Sequence, residues 1–164
     1  MNTLHCSTAH DTPLPELSTA DPFVDRHGSP LPAALRSEAA GLSWESFAAV
    51  YRASGPYRLG SWSATAGPDD LCDYRATLGC GDEIVAVDER ASGPIAAMSA
   101  ILHRIGVGLD IVALHQRTTI DGVITFLGCE RNGRRLWSMG QGADSAAASV
   151  DALIAGVNRF AQAA

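Results

Sequence analysis

Two small-residue segments stand where backbone N–H groups can meet a ligand. The first is Ala91-Ser92-Gly93-Pro94-Ile95-Ala96-Ala97, the second Gly140-Gln141-Gly142-Ala143-Asp144. Each joins an expected strand to an expected helix. Glycine and alanine let a ligand or another backbone come close. The unpaired N–H groups of a first helical turn favour an anion such as a carboxylate, worth roughly 0.3–1 kcal/mol when exposed and up to ~2 when partly buried. The same residues also suit a tight strand-to-helix turn with close packing, and Asp144 suits a helix cap. Both readings stay open at this level.

The other reactive side chains are scattered. His5, His10 and His27 lie in the first 41 residues, His103 on an expected helix next to a core position, and His115 near a strand end. No H-x-H, H-E-x-x-H or nucleophile elbow occurs, and no lysine is present to serve a phosphate loop. Gly140-x-Gly142 is too short for a dinucleotide fingerprint and lacks the parallel βαβ setting. Cys6, Cys72, Cys80 and Cys129 form no C-x-x-C pair, so free thiols in a reducing compartment are expected. No catalytic residue, metal ligand or cofactor is therefore assigned.

The elements that would position the two turns can be read from periodicity. Residues 1–41 hold five of the eight prolines and show poor periodicity, which predicts an arm, partly extended and partly disordered, with one or two helical turns at Pro32–Ala40. Over 42–57, Ser43 caps an expected helix with Trp44, Phe47 and Tyr51 on one face, stopped at Gly55-Pro56. From 58 the texture is strand-like. Cys72, Tyr74, Ala76 and Leu78 alternate with polar neighbours, and residues 84–89 form a third strand. A helix starts at Pro94 with Ile95, Met98, Leu102 and Ile105 as its core face. The order then repeats. Leu109, Ile111 and Ala113 alternate, as do Val123, Thr125, Leu127 and Cys129, then Arg135, Trp137 and Met139. Asp121-Gly122 and Asn132-Gly133 are hairpin signals. Val150, Leu153, Ile154, Val157 and Phe160 face the core from a last helix. The expected fold is α+β, with two βββα repeats (58–106 and 107–163) related by a pseudo-twofold and antiparallel sheets packed on helices.

Composition narrows the partners. The chain has 164 residues, 46% of them apolar, enough for a self-sufficient core. Its charge is −6 and its densest basic cluster is only Arg131, Arg134 and Arg135, which argues against nucleic acid. No stretch approaches the ~20 apolar residues of a membrane span, and the polar N-terminus is no secretory signal. A cytoplasmic protein is expected.

The run from Tyr74 to Phe160 resembles the C-terminal regulatory (allosteric and dimerisation) domain of the α-isopropylmalate synthases, a family with citramalate and homocitrate synthase relatives. The motifs are Ser92-Gly93-Pro94-Ile95-Ala96-Ala97, Trp137-Ser138-Met139-Gly140, Ala148-Ser149-Val150-Asp151-Ala152-Leu153 and Val157-Asn158-Arg159. The fit is nearest the actinobacterial type, and the helix at 43–53 resembles part of the preceding linker. The resemblance implies a homodimer with a small amino-acid effector held near its interface. Carried over by motif, the ligand-binding residues are Ala91, Ser92, Gly93, Pro94, Ile95 and Ala96. Gly140, Gln141 and Gly142 form the other candidate wall.

The chain also departs from the family pattern. Ala91 and Ser92 stand where the family turn has glycine and asparagine, and His115-Gln116-Arg117 replaces acidic and aromatic residues. The family's metal-dependent barrel of ~250 residues has no room in the first 42, so the expectation is a free-standing regulatory domain without catalysis that acts on a separate synthase chain. The alternatives are a dimerisation or scaffold module without ligand, and a small enzyme of another type using His115 and Arg117.

Overall fold

The computed structural model describes residues 21–163. Helices α1 (Pro22–His27), α2 (Ala33–Ala39) and α3 (Trp44–Tyr51) lead into strands β1 (Tyr57–Ala66), β2 (Cys72–Cys80) and β3 (Glu83–Ala91), then helix α4 (Pro94–Arg104). Strands β4 (Asp110–Thr119), β5 (Gly122–Arg131) and β6 (Arg134–Gly142) and helix α5 (Ser145–Gln162) complete the chain. Two three-stranded antiparallel sheets result, β1-β2-β3 and β4-β5-β6, each followed by its helix. These are the two expected βββα units.

Local chemistry explains the strand registers. Asn132 and Gly133 both take positive φ (53° and 75°), so a two-residue turn pairs Arg131 with Arg134. The β4–β5 loop differs from the expected Asp121-Gly122 turn. There the register pairs Thr119 with Gly122, which makes Ile120 and Asp121 the loop residues. Each unit carries a register irregularity near the start of its first strand, between Leu59 and Ser61 and between Ile111 and Ala113. The second shifts Ala113 off the face of Ile111. Leu114, opposite Leu127, takes the inward position instead.

The main core lies between the sheets. Ala76 and Leu78 of one sheet and Leu127 and Cys129 of the other meet Met98, Ile101 and Leu102 of α4 and Val150, Leu153, Val157 and Phe160 of α5. The observed α4 face is Ala97, Met98, Ile101 and Leu102, with Ile95 and Ile105 only partly buried. Helix α5 is buried on almost every side. The three arginines of the sequence cluster have structural partners. Arg131 and Arg134 donate to the carbonyls of Gly106 and Ala163, at the C-terminal ends of α4 and α5, and Arg135 pairs with Glu130. The outer face of the first sheet is polar, with Asp73 opposite Arg90 and Arg75 opposite Asp88 as exposed cross-strand ion pairs.

Over 21–41 the helical turns expected at Pro32–Ala40 are α2, but the remainder is not an extended arm: α1 forms and the segment packs on the domain. Phe23, Leu31, Leu35 and Ala39 are buried with Phe47 and Tyr51 against Ile124, Phe126 and Met139, on the outer face of the second sheet. The edge of Phe126 meets Phe23 at a centroid distance of 5.3 Å. Asp21 caps α1 through Phe23 N and also accepts from Leu31 N at 2.8 Å, which folds the chain back toward α2. The helices have only six and seven residues, too short to show a period, and their burial comes from the sheet beneath. His5, His10 and Cys6 lie outside the described residues.

A second tie links this layer to the core. Buried Asn158 accepts from Tyr57 N at 3.0 Å and donates to the carbonyls of Tyr57 (2.9 Å) and Ala53 (3.3 Å). Asn158→Ala strands those backbone groups and is expected to cost about 2–3 kcal/mol in urea denaturation; a change under about 0.5 would contradict the clip. His27 sits between the rings of Phe23 and Trp44, its Nε2 buried without a hydrogen-bond partner, and burial lowers its pKa below the usual 6.5, helped by Arg26 against an opposing effect of Asp121. The folded state therefore favours neutral His27. Its contribution is complete above the unfolded pKa of about 6.5 and is lost as pH falls through the lower folded value. Thermal melts of wild type should lose more stability between pH 7 and 5 than those of His27→Phe.

Candidate functional site

Helix α4 begins on a bare cap. Gly93 is its N-cap, extended at φ −174°, with no side chain to accept from the first turn. Pro94 has no N–H to satisfy, while the N–H groups of Ile95 and Ala96 precede the first helical bond, Ala97 N to Gly93 O. Helix α5 starts differently, because the Asp144 carboxylate accepts from Ala147 N at 2.8 Å. The expected capping role of Asp144 is therefore the one it performs.

The two helix starts border one open cleft of about 600 Å³. Ser92, Gly93, Pro94, Ile95 and Ala96 line one side, Ser145, Ala146 and Ser149 the other, with Leu114 and Gln116 of β4 between them. A side chain at Gly93 would point into open space, since nothing lies within 4 Å of the place its Cβ would take. The lining is mostly apolar, and its polar part is a small network. Gln116 Nε2 donates toward Thr125 Oγ1 (3.0 Å), Ser145 O (3.1 Å) and Ser149 Oγ (3.1 Å), and Ser149 Oγ donates to Ser145 O at 2.7 Å. Thr125 and Ser149 are fully buried, so the amide is anchored in the wall.

The structure brings five of the nine candidate residues to this cleft and leaves four outside it. Ala91 is the last residue of β3, paired with Cys72. Gly140 and Gly142 lie under α5. A Cβ on Gly140 would come within 2.1 Å of Ala152 N and 2.3 Å of Ala148 O, and one on Gly142 within 2.5 Å of Ala148 N. Close helix–sheet contact accounts for both glycines. Gln141 lies between them, its N–H held by Asp151 at 2.9 Å. The wall expected from this turn is supplied by Ser145, Ala146 and Ser149 further along. Their signal in the sequence is the one-turn spacing of Ser145 and Ser149 at the helix start. That of Leu114 and Gln116 was hidden by the register shift at Val112.

The remaining reactive groups lie elsewhere. His115 is opposite Phe126, on the other face of the sheet, with its ring 6.0 Å from that of Trp137. Arg117 donates to the carbonyl of Gln116. Burial pushes the Cys129 thiol up to about 11, so it stays protonated. Among the described residues no three His, Cys, Asp or Glu side chains are grouped to hold a metal, and no helix is long and apolar enough to cross a membrane. The depression floored by Asp73, Arg75, Asp88 and Arg90 is a surface of paired charges.

The two glycine sites should respond oppositely to substitution. Gly93→Ala is expected to change stability by under about 0.5 kcal/mol. Gly140→Ala drives a methyl into the α5 backbone and is expected to cost more than about 3 kcal/mol or to prevent folding. Parallel urea titrations compare them.

No protein-family model matches the chain. Curated relatives do. The chain is 31% identical over 113 residues to the 2-isopropylmalate synthase of Leifsonia xyli subsp. xyli, covering 66% of this chain and 19% of that protein. It is 29% identical over 133 residues to that of Renibacterium salmoninarum, covering 71% and 22%, and 32% identical over 79 residues to that of Corynebacterium glutamicum, covering 46% and 13%. The chain thus spans about a fifth or less of the length of these relatives. Over much of its length this chain is a relative of one part of the 2-isopropylmalate synthases.

Proposed function

We propose that this domain is a regulatory and dimerisation unit of the 2-isopropylmalate synthase type, and that its cleft binds a small apolar carboxylic acid, an amino or oxo acid of about leucine's size. One observation carries the reading. The Ser92-Gly93-Pro94 motif forms an uncapped helix start that opens on an apolar cleft. A carboxylate would meet the N–H groups of Ile95 and Ala96, and a branched side chain would lie on Pro94, Ile95 and Leu114. The gain from the helix end alone is up to ~2 kcal/mol, so apolar contact must supply much of the affinity.

In this reading the unit has no catalysis of its own. It works in the cytoplasm and transmits occupancy of the cleft to a synthase barrel of the kind found in its relatives, on the same or a separate chain. A second copy would cover the cleft, where Leu114 of β4 leaves 41% of its surface exposed. Calorimetry against leucine, isoleucine, valine and lysine is expected to give heat with at least one branched-chain acid. Sedimentation is expected to show a dimer whose stability changes with the same compound. No heat with any of them removes the sensor role, and a monomer at all concentrations removes the dimer.

A further inference from the structure

The cleft contains one polar side chain whose orientation is decided by its surroundings. Ser145 O is a carbonyl and can only accept. Ser149 Oγ uses its hydrogen on Ser145 O, so toward Gln116 it must accept as well. Two acceptors on one side force the amide nitrogen of Gln116 to face them, and its hydrogens are shared with Thr125 Oγ1. The Gln116 carbonyl, Oε1, is then the end left over. It has no protein donor among the described residues and is not among the buried side-chain atoms that lack a partner, so it is open to the cleft or solvent. Turning the amide over would set a carbonyl against Ser145 O, and the buried Thr125 and Ser149 hold the present setting in place.

We propose that Gln116 is the specificity-determining residue of this cleft, and that its fixed Oε1 selects a ligand carrying an N–H donor, a 2-amino acid, over the 2-oxo acid of the same skeleton. The proposal rests on the cleft being the acid-binding site described above. An ammonium gains a charge-assisted hydrogen bond from Oε1. A keto oxygen gains nothing there and sets acceptor against acceptor, and an unsubstituted C2 leaves Oε1 without a donor. Because the amide cannot turn over without losing Ser145 O and Ser149 Oγ, the site cannot adapt to the oxo acid.

Three probes of one skeleton test this by calorimetry: leucine, 4-methylpentanoate and 4-methyl-2-oxopentanoate. On the wild-type chain leucine is expected to bind about tenfold or more tightly than either other acid, with the oxo acid weakest. In Gln116→Met, which keeps the length and loses the acceptor, the leucine preference is expected to fall to within about threefold; circular dichroism confirms the fold. A wild-type oxo acid or 4-methylpentanoate affinity equal to that of leucine overturns the proposal and leaves the acid-binding reading standing. So does a preference that survives in Gln116→Met. Binding of none of the three overturns both.

Discussion

Helix α5 reaches the backbone of β6 because residues 140 and 142 have no side chains. A methyl on Gly140 would collide with the α5 main chain, and no rotamer change relieves a backbone clash. The contact is then stitched by polar bonds. Ser138 Oγ donates to Ala152 O at 2.8 Å, and Asp151 accepts from Gln141 N and from Arg52 Nε. With α5 drawn in to this depth, its apolar residues meet both sheets, and even Ala152, Ala155 and Gly156 are buried. Small residues are needed along this helix because the surrounding layers leave no volume for larger ones.

The depth of α5 also sets the cleft. Its first turn emerges beside the first turn of α4, so that two helix starts and the inner face of β4 share one opening. The units are alike in topology but not in chemistry at this point. Helix α5 is capped by the Asp144 carboxylate, whereas α4 begins on glycine and proline with no cap. An anion is therefore better accommodated on the α4 side. The covering of the sheets is unequal as well. Helices α1–α3 bury the outer face of the second sheet around Phe126, while the outer face of the first carries paired charges. A buried face needs an apolar partner and a solvated face does not, and only the second sheet presents Ile124, Phe126 and Met139 outward.

Much of the fold was legible along the chain. Alternation marked β2, since a strand buried on one face repeats every two residues; β5 and β6 were also read as strands, but Ile124–Cys129 of β5 are buried on both faces. Asn132-Gly133 gave its hairpin because few other residues accept two successive positive φ values. Ser43 was a recognisable cap, and its side chain accepts from Ser46 N. The core face of α5 was also recovered, at Val150, Leu153, Ile154, Val157 and Phe160. Prolines and weak periodicity hid α1, while α2 falls where helical turns were read at Pro32–Ala40; the packing of both comes from a sheet about a hundred residues later in the chain. Ala113 was misplaced because a register shift changes facing without leaving a mark in composition.

The sequence by itself determined the strands, the hairpins and the long helices, because those follow from local backbone preference and short-range pattern; Ser92–Ala96 was singled out as a ligand wall by resemblance and not by pattern. The sequence could not separate a glycine that borders open space from one that admits a helix. Gly93 and Gly140 have the same chemistry, and only the neighbours brought by folding distinguish them: empty space at one, the α5 backbone at the other. Tertiary structure likewise decided the opposite wall. Gln116, Thr125, Ser145 and Ser149 meet only when β4, β5 and α5 are packed, and the direction of the Gln116 amide follows from that meeting.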